Sequence, residues 1–129
     1  MILEIEPRYV DAINTVAAIV HQNALVKGFH PPHQSDNQFI DSQTNNLHDE
    51  VSELHEAWRE GRFLHPCDKA AKMYGMELRA LSCAEEEYAD IVIRVLDQCE
   101  RLGINIGKAI AVKHQYNLSR PERHGGKLS

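Results

Sequence analysis

Leu47-His48-Asp49-Glu50-Val51-Ser52-Glu53-Leu54-His55-Glu56-Ala57-Trp58 carries Leu47, Val51, Leu54 and Trp58 at intervals of three and four residues, the period of one helical face. Glu50 stands at the edge of that stripe, and Glu53, three residues on, is its neighbour on the helix surface. A second pair with the same spacing, Glu87 and Asp90, occurs in Glu87-Tyr88-Ala89-Asp90. Two helices that each present such a pair can hold four carboxylates around one point. Four anions in one patch repel unless a cation sits among them. Oxygen-only ligands are what Mg²⁺ takes, and it shares its remaining positions with substrate phosphates. The pattern therefore predicts a site that handles phosphates.

The ordinary explanation of an acid on a helix is a solvated charge, steadied by Lys or Arg four residues on. Those positions hold Leu54 after Glu50, Ala57 after Glu53 and Ile91 after Glu87; only Asp90 has a partner of that kind, Arg94. Three of the four acids thus lack an intrahelical explanation. Periodicity also argues the other way, because Glu87 and Asp90 lie opposite a stripe of Tyr88, Val92, Val95 and Cys99 and so face solvent. The run from Ile91 to Leu96 is apolar on nearly every side, however. It predicts a helix that is central, or covered by a partner subunit, with both faces occupied.

At 129 residues the chain is expected to form a single domain, residues 1–129, that buries a core without staples. Cys67, Cys83 and Cys99 are an odd number with no Cys-x-x-Cys pair, which suggests neither a disulfide framework nor a zinc knuckle and points to the reducing cytoplasm. The first six residues are acidic where a signal peptide is basic, and no apolar run reaches the length of about 18 residues that a membrane span needs. A non-exported protein with no membrane partner is expected. The net charge of −5 is uneven: residues 1–107 carry 9 basic and 18 acidic side chains, whereas residues 108–129 carry 5 basic and 1 acidic. An acidic body argues against a nucleic-acid partner. A basic tail, residues 113–129, beside that body suits a ligand that is anionic and metal-bound.

Along the chain, Pro7 opens a helix whose stripe is Val10, Ile13, Ala17, Val20 and Ala24, stopped at Gly28; Val16 and Ile19 widen the stripe toward a second neighbour. Residues 29–46, with Pro31 and Pro32, read as a long loop of the kind that forms lids. His30 and His33 are metal candidates there, against the plainer reading of loop polarity. The second helix is expected from Ser42 to Glu60, stopped by Gly61. Pro66 and Gly75 break residues 61–81, leaving a short helix from Asp68 to Tyr74. Ser82 and Glu85 form a capping box that opens a helix reaching Leu102, with Gly103 after it. Asn105 caps a last helix, Ile106 to Leu118, expected to pack through Ile106, Ala109, Ile110 and Val112 or Tyr116. On it Lys113, Asn117 and Arg120 make a positive ridge, whose plain reading is a solvated helix C-terminus. No segment reads as a strand.

Three blocks, taken in order, resemble the MazG-like all-α nucleoside triphosphate pyrophosphohydrolases: Glu50 to Arg59, Glu86 to Arg94, and Lys113-His114-Gln115-Tyr116-Asn117-Leu118-Ser119-Arg120-Pro121-Glu122-Arg123-His124-Gly125. Lys27-Gly28-Phe29 is similar to the end of the first helix in some members. The interval between Glu53 and Glu87, residues 54–86, is longer than the family's usual one. The resemblance implies a four-helix-bundle-like, oligomeric domain, a homodimer or homotetramer. It implies a Mg²⁺-dependent enzyme, with Mn²⁺ as an alternative, that splits a (d)NTP into (d)NMP and pyrophosphate and so clears nucleotide pools. Metal ligands carry over to Glu50, Glu53, Glu87 and Asp90, and substrate contacts to Lys113, Asn117, Arg120 and Lys27. Glu53, or else Glu50, would orient the attacking water. Trp58 is a candidate to stack on a base, against the plainer reading of core packing.

Three rivals stand beside this reading. One is a relative acting on dUTP-type or phosphoribosyl-ATP substrates. Another is a non-catalytic helical dimerisation or nucleotide-binding module whose acids are merely solvated. The third is an HD-type hydrolase working through His48 and Asp49.

Overall fold

The structure is a computed structural model and describes residues 3–121; the basic tail beyond Pro121, with Glu122 to Gly125 of the third block, lies outside the described residues. The described residues form five helices: α1 Pro7–Val26, α2 Asp36–Arg59, α3 Ala70–Gly75, α4 Cys83–Arg101 and α5 Ile106–Leu118. As expected, the chain is all-helical, and among the described residues the β-structure is one isolated bridge between Pro66 and Ser82.

Local chemistry sets most of the boundaries. Pro7 occupies the first turn of α1, Ser82 and Glu85 cap α4 reciprocally, and Asn105 Oδ1 accepts from the Lys108 amide at the start of α5. Gly28, Gly61 and Gly103, each just past a helix end, adopt positive φ of 81°, 72° and 70°, where a Cβ would strain the backbone. The expected loop over residues 29–46 is a correction. Ser35 Oγ accepts from the Gln38 amide and the Gln38 side chain answers the Ser35 amide, so a second capping box starts α2 at Asp36, ahead of the expected Ser42. What remains between α1 and α2 is a short Pro-containing connection, not a lid.

α4 is central, with α1 and α2 packed along it, and α5 rests on α1. α1 is antiparallel to α4: His21 meets Asp97, and seven residues earlier Asn14 meets Asn105. α5 then follows the N-terminal half of α1 outward, through Gly107 against Asn14 and His114 against the Leu3 carbonyl. Within one chain the helices are thus open in arrangement, with α5 beyond the end of α4. Its packing corrects the expected one. Gly107 is buried whereas Ile110, Val112 and Tyr116 are exposed. A Cβ at Gly107 would stand 2.5 Å from the Val10 carbonyl oxygen. Gly107→Ala is accordingly expected to cost about 1–3 kcal/mol of stability, read as a lowered unfolding midpoint in urea.

The long interval 54–86 folds as a side excursion. Cys67 N donates to Leu81 O at 2.9 Å and Cys83 N to His65 O at 2.8 Å, closing it so that α4 begins beside the end of α2. Ala57, Cys67 and Cys83 form a small buried cluster there, backed by Met73 and Leu81. Cys67, Cys83 and Cys99 are free thiols, in keeping with the expectation of no disulfide.

Candidate metal centre

The inward positions of α2 are Phe39, Glu50 and Ala57, and those at the start of α4 include Glu86 with Glu87 and Asp90 half-buried. The stripes expected to be core are only partly so: Leu47, Leu54, Val95 and Cys99 are half-buried, and the rest turn outward. Val51, Trp58, Tyr88 and Val92 are each more than half exposed. The reason is packing: α4 offers its acid-bearing face to α1 and α2, and its apolar edge is left bare. Trp58 therefore does not pack in the core; its ring meets Phe63 edge-on, at 5.5 Å between ring centroids, and Phe63 meets Tyr88 the same way.

Across the α2–α4 contact one carboxylate oxygen each from Glu50, Glu53 and Glu87 falls within 4.8 Å of the others. Asp90, one turn beyond Glu87, is outside that set of three and lines an adjoining cavity with Arg94. Glu50 is about nine-tenths buried. Its Oε1 accepts from Arg94 Nε at 2.9 Å, so Arg94 serves Glu50 across the helices instead of Asp90 on its own helix. Glu50 Oε2 and Glu87 Oε2 are buried with no hydrogen-bond partner. Such orphaned oxygens are costly unless a ligand answers them. Lys69, from the excursion, is spent on the buried Glu86 and on Asp68 and does not neutralise the three.

Loss of water and mutual repulsion raise these carboxyls. Burial, then the charges of Glu53, Glu50 and Glu86, push Glu87 up to about 7. Burial and then Glu50 raise Glu53 and Asp90 as well. An oxygen-only trio in this state fits a hard divalent cation, which would pair the orphaned lone pairs and remove the repulsion. A measurable consequence follows from the sign. Folded Glu87 keeps its proton to a higher pH than the unfolded chain, whose carboxyl titrates near 4.5. Its contribution to stability is whole below pH 4.5 and is lost as pH rises to about 7. In EDTA, thermal melts should show the protein less stable at pH 8 than at pH 5, and Mg²⁺ should restore the loss at pH 8.

Lys113, Asn117 and Arg120 are not brought to this centre. Lys113 and Arg120 flank the Tyr116 ring at 4.8 and 5.6 Å, on the part of α5 that follows α1 toward Leu3. At 1.5 Å per helical residue, the run along α1 from Ala24, beside Asp90, to Leu3, beside His114, is roughly 30 Å. Lys27, which caps α1, is at the acid end. His48 and Asp49 are exposed, and neither belongs to a converging cluster among the described residues. His33 is likewise exposed, whereas His30 joins His21 and Asp97 in a cluster that loop polarity did not anticipate. The sequence marks His30 as a metal candidate but pairs it with His33; its partners His21 and Asp97 stand on α1 and α4, too far along the chain for spacing to connect them.

The fold and centre together define an all-α chain with a three-carboxylate cluster and an adjoining cavity. No protein-family model, no curated protein and no solved structure matches the chain. No helix among the described residues is long and apolar enough to cross a membrane.

Proposed function

We propose that this chain is a Mg²⁺-dependent nucleoside triphosphate pyrophosphohydrolase of the MazG-like kind, converting a (d)NTP and water into (d)NMP and pyrophosphate. The observation that carries this reading is the convergence of Glu50, Glu53 and Glu87 from two helices with two buried oxygens left unpaired. The order of the three sequence blocks supports it independently.

Glu50, Glu53 and Glu87 would hold the ion, with Asp90 in reach of the substrate side. Bound there, Mg²⁺ supplies charge neutralisation for the triphosphate and acidifies water. The chain's own residues do the rest. Arg94 fixes Glu50 in place, which keeps its free oxygen aimed at the cluster. Glu53, the exposed member of the three, would accept a proton from water attacking the α-phosphorus. The bond from that phosphorus to the α–β bridging oxygen breaks, and pyrophosphate leaves with the electron pair.

The leaving pyrophosphate needs cations, and within one chain Lys113 and Arg120 are too far away to provide them. A second copy supplies them. The chain leaves Val16 and Ile19 of α1, Val112 and Tyr116 of α5, and Val51, Trp58, Tyr88 and Val92 of α2 and α4 exposed; clustered apolar side chains of this kind suit a contact between proteins. A homodimer or homotetramer covers these faces, completes the bundle and sets the basic end of one copy on the acidic centre of another.

Incubation with a dNTP panel and Mg²⁺ in ¹⁸O-water tests the reading. Monophosphate carrying the label, with unlabelled pyrophosphate, is the expected result. Orthophosphate release, label in the pyrophosphate, or no product from any nucleotide would overturn it; the last outcome would favour a non-catalytic binding module.

A further inference from the structure

Arg94 faces two ways. Across the α2–α4 contact its Nε donates to Glu50 Oε1 at 2.9 Å. Toward α1 it lines a cavity of about 200 Å³, with Val20 and Ala24 on one wall and Asp90, Arg94 and Asp97 of α4 on another. Residues 90, 94 and 97 follow one another at four and three, a single helical face, so Asp90 to Asp97 covers roughly 10 Å with Arg94 between the two carboxylates.

A guanidinium carries five N–H donors in one plane, and the bond to Glu50 uses one of them. That clasp is single: Glu50 Oε2 has no hydrogen-bond partner, so the two-bond fork an Arg can make on a carboxylate is not formed. Nη1 and Nη2 of Arg94 form no hydrogen bond among the described residues, although two carboxylates share the cavity lining. Asp97 takes its donors from behind, where His21 Nδ1 lies at 2.7 Å and His30 Nε2 at 2.8 Å and brace it. Asp90 makes no ion pair with Arg94 among the described residues, and the Arg94 side chain is 34% exposed, so its outer edge is open to an incoming group. Lys69, the other cation whose charge reaches Asp90, already bridges Glu86 and Asp68.

A planar, permanently charged edge with two parallel donors matches two oxygens of one phosphate. Glu50 stands between that edge and the acid centre, its bonded oxygen toward Arg94 and its unpaired one within the cluster with Glu53 and Glu87. A nucleotide with its nucleoside end in the cavity and its phosphates at the acid centre passes Arg94 with its first phosphate. We propose that Arg94 is a catalytic residue: besides holding Glu50, its Nη edge donates to the non-bridging oxygens of the α-phosphate. The inference rests on the pyrophosphohydrolase reading and adds the group that serves the phosphorus under attack. As the water oxygen bonds to that phosphorus and its proton passes to Glu53, the bond to the α–β bridging oxygen breaks and pyrophosphate leaves with the electron pair. Arg94 keeps every proton throughout. The charge carried by the non-bridging oxygens during attack meets donors that Glu50 already holds in place, which therefore need no reorganisation. The cations of a second copy act elsewhere, on the leaving pyrophosphate.

Arg94→Lys keeps a positive charge for Glu50 and loses the planar edge. Calorimetric titration in Ca²⁺ with dAMP, dCMP, dGMP and dTMP, and separately with inorganic pyrophosphate, locates the contact without relying on turnover. The variant should bind monophosphates about tenfold or more weakly, the worth of one charge-assisted hydrogen bond, and pyrophosphate as the wild type does. With Mg²⁺ and a dNTP its kcat should fall by about 10²–10³-fold, while Mn²⁺ affinity measured without nucleotide stays little changed. Arg94→Ala keeps the test open if Arg94→Lys does not fold: added guanidinium should restore part of its kcat and none of that lost in Glu87→Gln. A variant that binds Mn²⁺ weakly and regains wild-type kcat at saturating Mg²⁺ would show Arg94 to be only a support for Glu50. Lost affinity for pyrophosphate but not for monophosphates, or no monophosphate binding by the wild type, would overturn the contact as well. If the wild type cleaves no triphosphate the hydrolase reading fails, while the Ca²⁺ titrations still decide whether Arg94 meets a nucleotide phosphate.

Discussion

Glu87→Gln should lower (d)NTP turnover by at least about a thousandfold and, in the absence of metal at pH 8, make the protein more stable. The two effects have one cause. Glu87 is half-buried among like charges that push it up to about 7, so its ionised form is a liability to the folded chain. A neutral amide of the same shape removes the repulsion and at the same time removes one of three oxygens able to hold the cation, which phosphoryl chemistry relies on for charge neutralisation. Steady-state kinetics, a metal-free thermal melt and titration with Mn²⁺ check the three consequences together. Glu53→Gln should match the loss of turnover, while His48→Ala should keep wild-type rates. Loss of activity in His48→Ala with retention in Glu87→Gln would remove the carboxylate trio from the mechanism and restore the HD-type alternative.

Mixing two inactive variants should restore activity. Lys113→Ala removes the proposed clamp and Glu87→Gln the cation site, so each pure variant is expected to be dead or nearly so. If the clamp reaches into the site of a neighbouring copy, a mixed dimer has one intact site, built from Glu87 of one subunit and Lys113 of the other. With random pairing, half of the dimers are mixed and each has one of two sites, so co-refolded material should regain about a quarter of wild-type activity. Were Lys113 to act within its own chain, every site in the mixture would carry a lesion and no recovery would occur. The roughly 30 Å between the ridge and its own acid centre favours recovery.

What was legible beforehand was mostly local. The capping box at Ser82 and Glu85, the Asn105 cap and the glycine stops place α4 and α5 within a residue or so, because each signal is a hydrogen bond or a backbone angle settled within one helical turn. The stripe on α1 also holds, with Ala17 and Ala24 buried. The missed start of α2 was legible too, in Ser35 and Gln38, but two preceding prolines and a run of polar residues drew the boundary late. Facing was another matter. Periodicity alone turned Tyr88 and Val92 inward and Glu87 and Asp90 to solvent, and only the apolar run from Ile91 to Leu96 hinted that both faces are covered; Tyr88 and Val92 are exposed, and Glu87 and Asp90 are half-buried. A helical period identifies two faces and says nothing of which one a neighbour in the same chain covers.

By itself, then, the sequence determined the helical class, the extents of most helices and the pairs of acids that share a helix face, since all of these depend on residues three or four apart. Only the tertiary structure decided that Glu50, Glu53 and Glu87 meet while Asp90 stands aside, that Arg94 serves Glu50, that Asp97 is braced at the end of a cavity, and that α5 leads its cations away. Those outcomes turn on how α1 and α2 pack along α4 and where the chain goes after Asn105, contacts between residues 34 to 111 positions apart, for which no local spacing carries a signal.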